Sequence, residues 1–314
     1  MKVLIIDEMH KSIIPLLSEL NLEVDYMPKI KRHEIISILK NYEGLIVRSK
    51  TPIDEAILKH ANQLKFVARA GAGVDNVEVE ELEKRNIQLI NAPEGNRDAL
   101  AEHAMGMLLT LFNKINTADL EIRNGKWDRE GNRGIELMGK TVGLLGFGNM
   151  GAAFAKRLSS FDCKIIAYDA EKTGFSNEYV EEVSLDILKE QTQILSLHIP
   201  MNAQNKGLIN NDFLSKFKKL DYIINTSRGE VLILKDLLKH LTEDKIKGAA
   251  LDVLENEKIK SLNSEELFVF QKLTKLKQVI LTPHIAGWSF ESYEKINKVL
   301  YQKIKTLVRN IDNL

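Results

Sequence analysis

The chain has 314 residues, of which 44% are hydrophobic and 28% charged, the make-up of a globular protein of about two ordinary domains. Its 44 Lys and Arg balance 44 Asp and Glu, which excludes an overall basic field for nucleic acid. A single cysteine, Cys163, excludes an intramolecular disulfide and a thiolate metal site, and no apolar stretch is long enough to span a bilayer.

The N-terminal "MKVLIID" reaches Asp7 too early for a secretory leader, so a cytoplasmic location is expected. Short apolar, β-branched runs follow: "KVLIID", "LEVDYM", "GLIVRS", "KFVARAG" and "IQLINAP". Within "RAGAGVDN", Gly71 and Gly73 form a glycine pair, but Asn76 stands where a third glycine would be needed and no alanine-rich helix follows. This turn is not read as a nucleotide site, although its backbone N–H groups could hold a carboxylate. A helical pattern over 98–125 comes next, with Leu100, Ala104, Met107, Leu108 and Leu111 on one face and His103 read as a domain or subunit contact.

"TVGLLGFGNMGAAFAKRL" carries Gly146, Gly148 and Gly151 as G-x-G-x-x-G, after an apolar strand and at the start of an alanine-rich helix. The first glycine permits a tight turn, the second lets backbone approach a pyrophosphate, and the third lets helix pack on strand. The next strand, "KIIAYD", is preceded by Cys163, read as a small core hydrophobe, and ends in Asp169. That carboxylate suits ribose hydroxyls and repels a 2′-phosphate, so NAD is expected rather than NADP. The strands "ILSLHIP", "YIINTS", "GAALDVL" and "VILTPHI" follow, then a final helix from "SFESYEK" onward that is free to return to the first domain. "KFKK" (216–219) reads as a solvated face, and His10, His33, His60 and His240 as surface positions. Strand–helix alternation on this scale predicts an α/β protein of two doubly wound parallel-sheet domains.

In such sheets ligands gather beyond the carboxyl ends of the strands. There the second half puts His198, Arg228, Asp252, Glu255, Glu257 and His284. Oxidising an alcohol needs a base for the hydroxyl proton, and histidine serves as base or acid near neutral pH. A carboxylate on its other ring nitrogen fixes the tautomer, and an arginine clamps a substrate carboxylate through two parallel hydrogen bonds. Arg228, at the tip of an otherwise apolar strand, therefore points to an anionic substrate. Spacing alone leaves Glu255 and Glu257 as alternatives.

"GFGNMG", "INTSRGE", "GAALDVLENE" and "LTPHIAG", in that order, resemble the D-isomer-specific 2-hydroxyacid dehydrogenase family, and "LIVRSKT", "VARAGAGVDNV" and "INAPEGN" extend the resemblance over most of the chain. Within the family it is similar to short phosphoglycerate-oxidising members. The resemblance implies a flavodoxin-like substrate domain (1–96 plus 288–314) and a Rossmann NAD-binding domain (97–287) closing over a cleft. It implies Arg228, Glu257 and His284 as catalytic residues; the family's "D-V-x-x-x-E" selects Glu257. Asp252 would hold the nicotinamide carboxamide, with Asn149, Met150, His198, Ile199, Thr226, Ser227 and Gly287 also lining the cofactor. Backbone at Ala72 and Gly73 would bind the substrate carboxylate. Arg48, Arg69, Asn96 and, across a homodimer built on the long helix, Arg129 would receive a phosphate, so 3-phosphoglycerate and serine biosynthesis are implied. Small 2-oxo acids such as glyoxylate or hydroxypyruvate form the alternative substrate class, and an NADH-sensing binding protein the alternative of another kind. No metal, nucleic acid or membrane partner is implied. Departures from the family are Lys258 in place of a proline after the glutamate, suggesting a longer or more mobile loop, Ala99 and Asn205 in place of serine and threonine, and Trp288 where a small residue is usual.

Overall fold

The structure is a computed structural model that describes residues 1–312. The chain divides into two compact units: Met1–Arg97 together with the segment from Trp288 onward, and Asp98–Gly287. Among the described residues no helix is long and apolar enough to cross a membrane.

In the first unit, β1 (Lys2–Ile5), α1 (Ile13–Ser18), β2 (Glu23–Tyr26), α2 (Arg32–Ile38), β3 (Gly44–Val47), α3 (Glu55–Leu58), β4 (Phe66–Arg69), α4 (Val79–Lys84) and β5 (Gln88–Asn91) alternate. The sheet runs β2-β1-β3-β4-β5 with every pairing parallel, the flavodoxin-like order. β3 is buried at all four residues, because helices cover both sheet faces and leave no side for polar alternation.

In the second unit, α5 (Pro93–Phe112) and α6 (Ile115–Arg123) come before β6 (Thr141–Leu145), α7 (Asn149–Leu158), β7 (Lys164–Tyr168), β8 (Glu181–Glu182), α8 (Leu185–Gln191), β9 (Ile194–Leu197), α9 (Asn211–Leu214), β10 (Tyr222–Asn225), α10 (Leu234–Thr242), β11 (Gly248–Leu251), α11 (Ser264–Leu273) and β12 (Val279–Leu281). The seven strands run β12-β11-β10-β9-β6-β7-β8, all parallel. From β8 this is the 3-2-1-4-5-6 dinucleotide-binding order with one further strand. Two apolar layers sandwich the sheet, one holding α5 residues such as Ala104, Leu108 and Phe112, the other holding Leu237 and Leu241 of α10.

The two doubly wound sheets expected from the sequence are present, and three local expectations are corrected. The helical pattern over 98–125 is two helices, broken where Lys114 adopts φ 52°; no glycine or proline announces the break. β8 is a two-residue edge strand with no apolar run to signal it. His240 is buried rather than at the surface, because the chain leaving α10 folds back so that Lys245 and Ile246 N–H groups both reach its carbonyl (3.0 and 3.1 Å). Burial pushes that imidazole's pKa down.

α12 (Phe290–Asp312) belongs to the first unit. Its Ile296, Leu300 and Ile304, at helical spacing, enter one core layer with Val3, Ile5, Ile46 and Phe66. Asn297, fully buried, donates from Nδ2 to the His10 carbonyl (2.9 Å) and Ser12 Oγ (3.0 Å), while its Oδ1 has no partner among the described residues. Leu300→Ala is expected to lower stability in denaturant unfolding by about 2–5 kcal/mol, whereas exposed Lys298→Ala should fall within roughly 0.5 kcal/mol of the parent.

Candidate active site

In the second unit the strand order reverses between β6 and β9, where a doubly wound sheet opens a crevice. The β6–α7 turn sits there. Gly146 takes φ 97°, and a Cβ on it would meet the His198 carbonyl oxygen at 2.6 Å, so the turn and the end of β9 are packed backbone to backbone. A Cβ on Gly151 would strike the Gly146 carbonyl oxygen, whereas nothing lies within 4 Å of one on Gly148. Gly148 is the N-cap of α7 with no side-chain cap, and Asn149 and Met150 open the helix. The first-turn N–H groups lack intrahelical acceptors and carry the positive end of the helix dipole. A pyrophosphate fits this cradle.

Asp169, just after β7, accepts from Phe147 N–H (2.7 Å), Glu171 N–H (3.0 Å) and Lys172 N–H (3.0 Å). Burial alone would raise its pKa, but the three N–H groups hold it below the usual carboxylate value. A carboxylate has about four acceptor positions, so a lone pair remains for a ribose hydroxyl. On β9's end, His198 packs on Phe154 and its Nε2 meets Ser196 Oγ at 2.9 Å. Burial pushes its pKa down to about 4, so the ring is neutral at physiological pH. Ile199 follows it, half-buried against the core. Thr226 is buried with its hydroxyl unpartnered, which leaves a polar group for a dinucleotide to satisfy.

Beyond β10, Asn225 shapes the arginine's loop. Its Oδ1 accepts from Ser227 N–H (3.0 Å) and Oγ (2.9 Å), and its Nδ2 donates to the Arg228 carbonyl (3.0 Å). The Arg228 guanidinium in turn donates to the Ser227 carbonyl at 2.7 Å.

The loop after β12 is organised by Asp252, 1% exposed just beyond β11. Its Oδ1 accepts from Ile285 N–H (2.9 Å) and the Thr282 hydroxyl (2.6 Å), and its Oδ2 from Ala286 N–H (2.8 Å). Its carbonyl takes the His284 N–H at 2.7 Å. His284 is thereby held at φ 57°, a left-handed conformation uncommon for residues other than glycine. Its Nδ1 faces Glu257, 2.9 Å from Oε1 and 3.1 Å from Oε2. The Glu257 hydrogen bond raises the imidazole's pKa, opposed by burial and by the nearby Arg228 charge. With Nδ1 engaged, Nε2 is the nitrogen left to exchange a proton with a ligand. Glu255, the alternative carboxylate, instead accepts Leu234 N–H at 2.6 Å at the start of α10, and burial pushes its pKa up.

Sequence reasoning missed Thr282 and its contact with His103. His103 Nε2 lies 3.1 Å from the Thr282 hydroxyl. Since that hydroxyl donates to Asp252, it accepts from an Nε2-protonated His103, making a chain from α5 through Thr282 and Asp252 to the backbone around His284. Cys163, half-buried, has a thiol pushed up to about 11 by burial, as an inert packing residue would. Arg129 is exposed on the segment after α6, and Gly287 closes the unit.

In the first unit the strand order reverses between β1 and β3. Arg48 follows β3 directly, and its N–H donates to the buried Asp7 Oδ2 just beyond β1 (2.5 Å). Arg69 ends β4. Gly71 takes φ 143°, and a Cβ there would strike the Arg69 guanidinium. The glycine turn is pinned by Asn91 Nδ2 to the Ala72 carbonyl (2.8 Å) and by Ala92 N–H to the Gly71 carbonyl (2.8 Å). Among the described residues the Ala72 and Gly73 N–H groups have no acceptor, as an anion-binding turn requires. Asn96, in the first turns of α5, carries a buried Oδ1 with no partner.

Residues 105–286 match the family model described as D-isomer specific 2-hydroxyacid dehydrogenase, NAD binding domain. Over all of its length the chain is 33% identical to a D-3-phosphoglycerate dehydrogenase of Archaeoglobus fulgidus, of which it spans 59%. It is 35% identical over 88% of its length to a hydroxypyruvate reductase of Thermotoga maritima, of which 88% is covered. Its fold superposes with a TM-score of 0.81, at 25% identity, on a D-lactate dehydrogenase of Aquifex aeolicus complexed with NAD and lactic acid, covering 99% of this chain and 96% of that one.

Replacing Glu257 with Gln replaces the charged acceptor that raises the His284 pKa with a neutral one, so the midpoint of the His284 ring signals in an NMR pH titration is expected to fall. A midpoint that stays in place would show that Glu257 does not set it. Thr282→Val strips both His103 and Asp252 of a partner, and should destabilise the second unit by about 1–3 kcal/mol in denaturant unfolding.

Proposed function

Because this chain belongs to the D-isomer-specific 2-hydroxyacid dehydrogenase family, whose NAD-binding domain it carries, we propose that it interconverts a small anionic 2-hydroxy acid and the matching 2-oxo acid, with 3-phosphoglycerate, oxidised to 3-phosphohydroxypyruvate, as its substrate. The observation that carries the reading is the imidazole of His284, gripped at Nδ1 by Glu257 and within the field of the Arg228 guanidinium.

In this reading Gly146, Gly148, Asn149, Met150 and Gly151 hold the pyrophosphate and Asp169 the ribose. His198, Ile199, Thr226, Ser227, Asp252 and Gly287 line the rest of the cofactor. NAD, when bound, supplies the hydride acceptor or donor. Arg228 clamps the carboxylate of the acid and polarises the C2 oxygen. In oxidation Nε2 of neutral His284 accepts the hydroxyl proton, and in reduction the imidazolium returns it. Glu257 stabilises that imidazolium and keeps Nε2 turned outward. Asp252 uses three of its four acceptor positions on the His284 loop, so its first task is to hold that loop, with one position left for a carboxamide.

Arg48, Arg69, Asn96 and the Ala72 and Gly73 N–H groups form the anion-recognising set of the first unit, and the D-3-phosphoglycerate dehydrogenases among the relatives support a phosphorylated substrate. A second copy of the chain is proposed to cover the apolar groups that α6 and the segment after it leave in water: Leu120 (61% exposed), Trp127 (84%) and Met138 (63%). Arg129, in that segment, would then reach the partner's site. Relatives named hydroxypyruvate reductase and glyoxylate reductase support a second reading, reduction of an unphosphorylated 2-oxo acid.

Steady-state turnover of the purified chain with NADH on 3-phosphohydroxypyruvate, hydroxypyruvate and glyoxylate decides between them. The expected result is a kcat/KM at least about tenfold higher for the phosphorylated acid; equal values would favour the second reading. His284→Ala should lower kcat by about 10²–10⁴-fold with NADH binding retained. Undiminished turnover would remove His284 from the proton transfer, and NADH binding without turnover in the parent would point to a sensing protein.

A further inference from the structure

Arg48 differs from the cations nearest it in the first unit. Lys50, two residues on, is committed to the carbonyls of Ile6 (2.6 Å), Pro28 (2.7 Å) and Ile30 (3.3 Å), with Asp7 3.6 Å away. Arg32 is paired with Asp54 at 2.6 Å. The Arg48 guanidinium has no carboxylate partner among the described residues. It gives one N–H to the Glu8 carbonyl (3.2 Å), also hydrogen-bonds the Tyr293 side chain, and rests against two rings, its Cζ 4.6 Å from the Trp288 centroid and 5.1 Å from that of Tyr293. The rings contact each other at 5.2 Å, and His10 packs edge-on against Tyr293 at 5.7 Å. Arg48 also stands at the carboxyl end of β3, beside the reversal in strand order where doubly wound sheets bind ligands.

We propose that Trp288 is a positioning and specificity residue. Its ring holds the Arg48 guanidinium by its flat face, so that the N–H edge is presented to the second anionic group of a dianionic substrate, a phosphate monoester or its equivalent. The proposal rests on the reading of this chain as a dehydrogenase of a phosphorylated acid. The physics is that of a planar cation. Its faces are weakly hydrated and stack on aromatic rings, while its donors lie in the plane and match two phosphate oxygens. A free arginine must give up much rotamer freedom to hold an anion, and stacking removes most of that loss beforehand. It also explains why a large ring, 52% exposed, stands at position 288. Packing alone would bury it. Here its partners are a cation and a second ring.

The test compares the parent, Trp288→Ala and Trp288→Phe in the full chain. In W288A the KM for 3-phosphohydroxypyruvate is expected to rise about tenfold more than the KM for glyoxylate, with the kcat ratio between the two substrates unchanged, and W288F should recover most of the loss. Equal changes for both substrates, or a lower KM for the phosphorylated one, would overturn the proposal. Inorganic phosphate, titrated calorimetrically into each protein, supplies an arm that does not depend on the substrate. Its Kd should weaken about tenfold in W288A and in Arg48→Gln, and little in W288F. If the parent shows no preference for the phosphorylated acid, the substrate assignment fails, and the phosphate titration still decides the role of Trp288. Parent and W288A binding phosphate equally would refute it.

Discussion

The carboxylate of Asp252 cannot be left without donors at 1% exposure. It draws them from the turn after β12, and three hydrogen bonds from Thr282, Ile285 and Ala286 result. His284 lies between those donors, and its backbone accepts a left-handed φ so that all three can be made. The side chain then leaves the turn in the direction that brings Nδ1 to Glu257. A buried acid thus fixes the placement of the imidazole. His103 and Thr282 extend the same network back into α5, so the loop that carries His284 is anchored in one of the core layers of the second unit.

Both units use one architectural rule. Where the strand order reverses, the crossovers leave in opposite directions and a crevice opens at the carboxyl ends. In the second unit that crevice is bounded by the Gly146 turn and the end of β9, packed so tightly that neither glycine nor neighbour has room to change. In the first it lies beside Asp7 and Arg48, where a buried carboxylate again receives a backbone N–H from the following strand end. A carboxylate that receives backbone N–H groups recurs in both units.

Much of this was legible in the residues. The apolar β-branched runs located eleven strands because parallel strands covered on both faces carry no polar alternation. The glycine pattern located the phosphate turn because its spacing states where backbone must pass close to backbone. The rest was hidden for identifiable reasons. The two-residue strand β8 is Glu181–Glu182 and has no hydrophobic signature. The break at Lys114 has no glycine to announce it. His240 sits among charged neighbours in sequence, and is buried by a chain reversal that no local pattern encodes. Spacing left Glu255 and Glu257 as alternatives and the family motif selected Glu257; the placement of α10 adds that Glu255 is occupied by Leu234 N–H while Glu257 is turned to His284.

The amino-acid sequence by itself determined the fold class, the dinucleotide turn and the chemical types gathered at the strand ends, because these depend on periodicity and on contacts between residues near in sequence. Tertiary structure decided what Glu255 does instead of meeting the imidazole, that Thr282 and His103 stand behind it, and that Trp288 covers Arg48 from 240 positions away in the chain. Those pairings are made by side chains brought together only once the sheets have wound. Their energies depend on distances of a few ångströms, which spacing along the chain does not record.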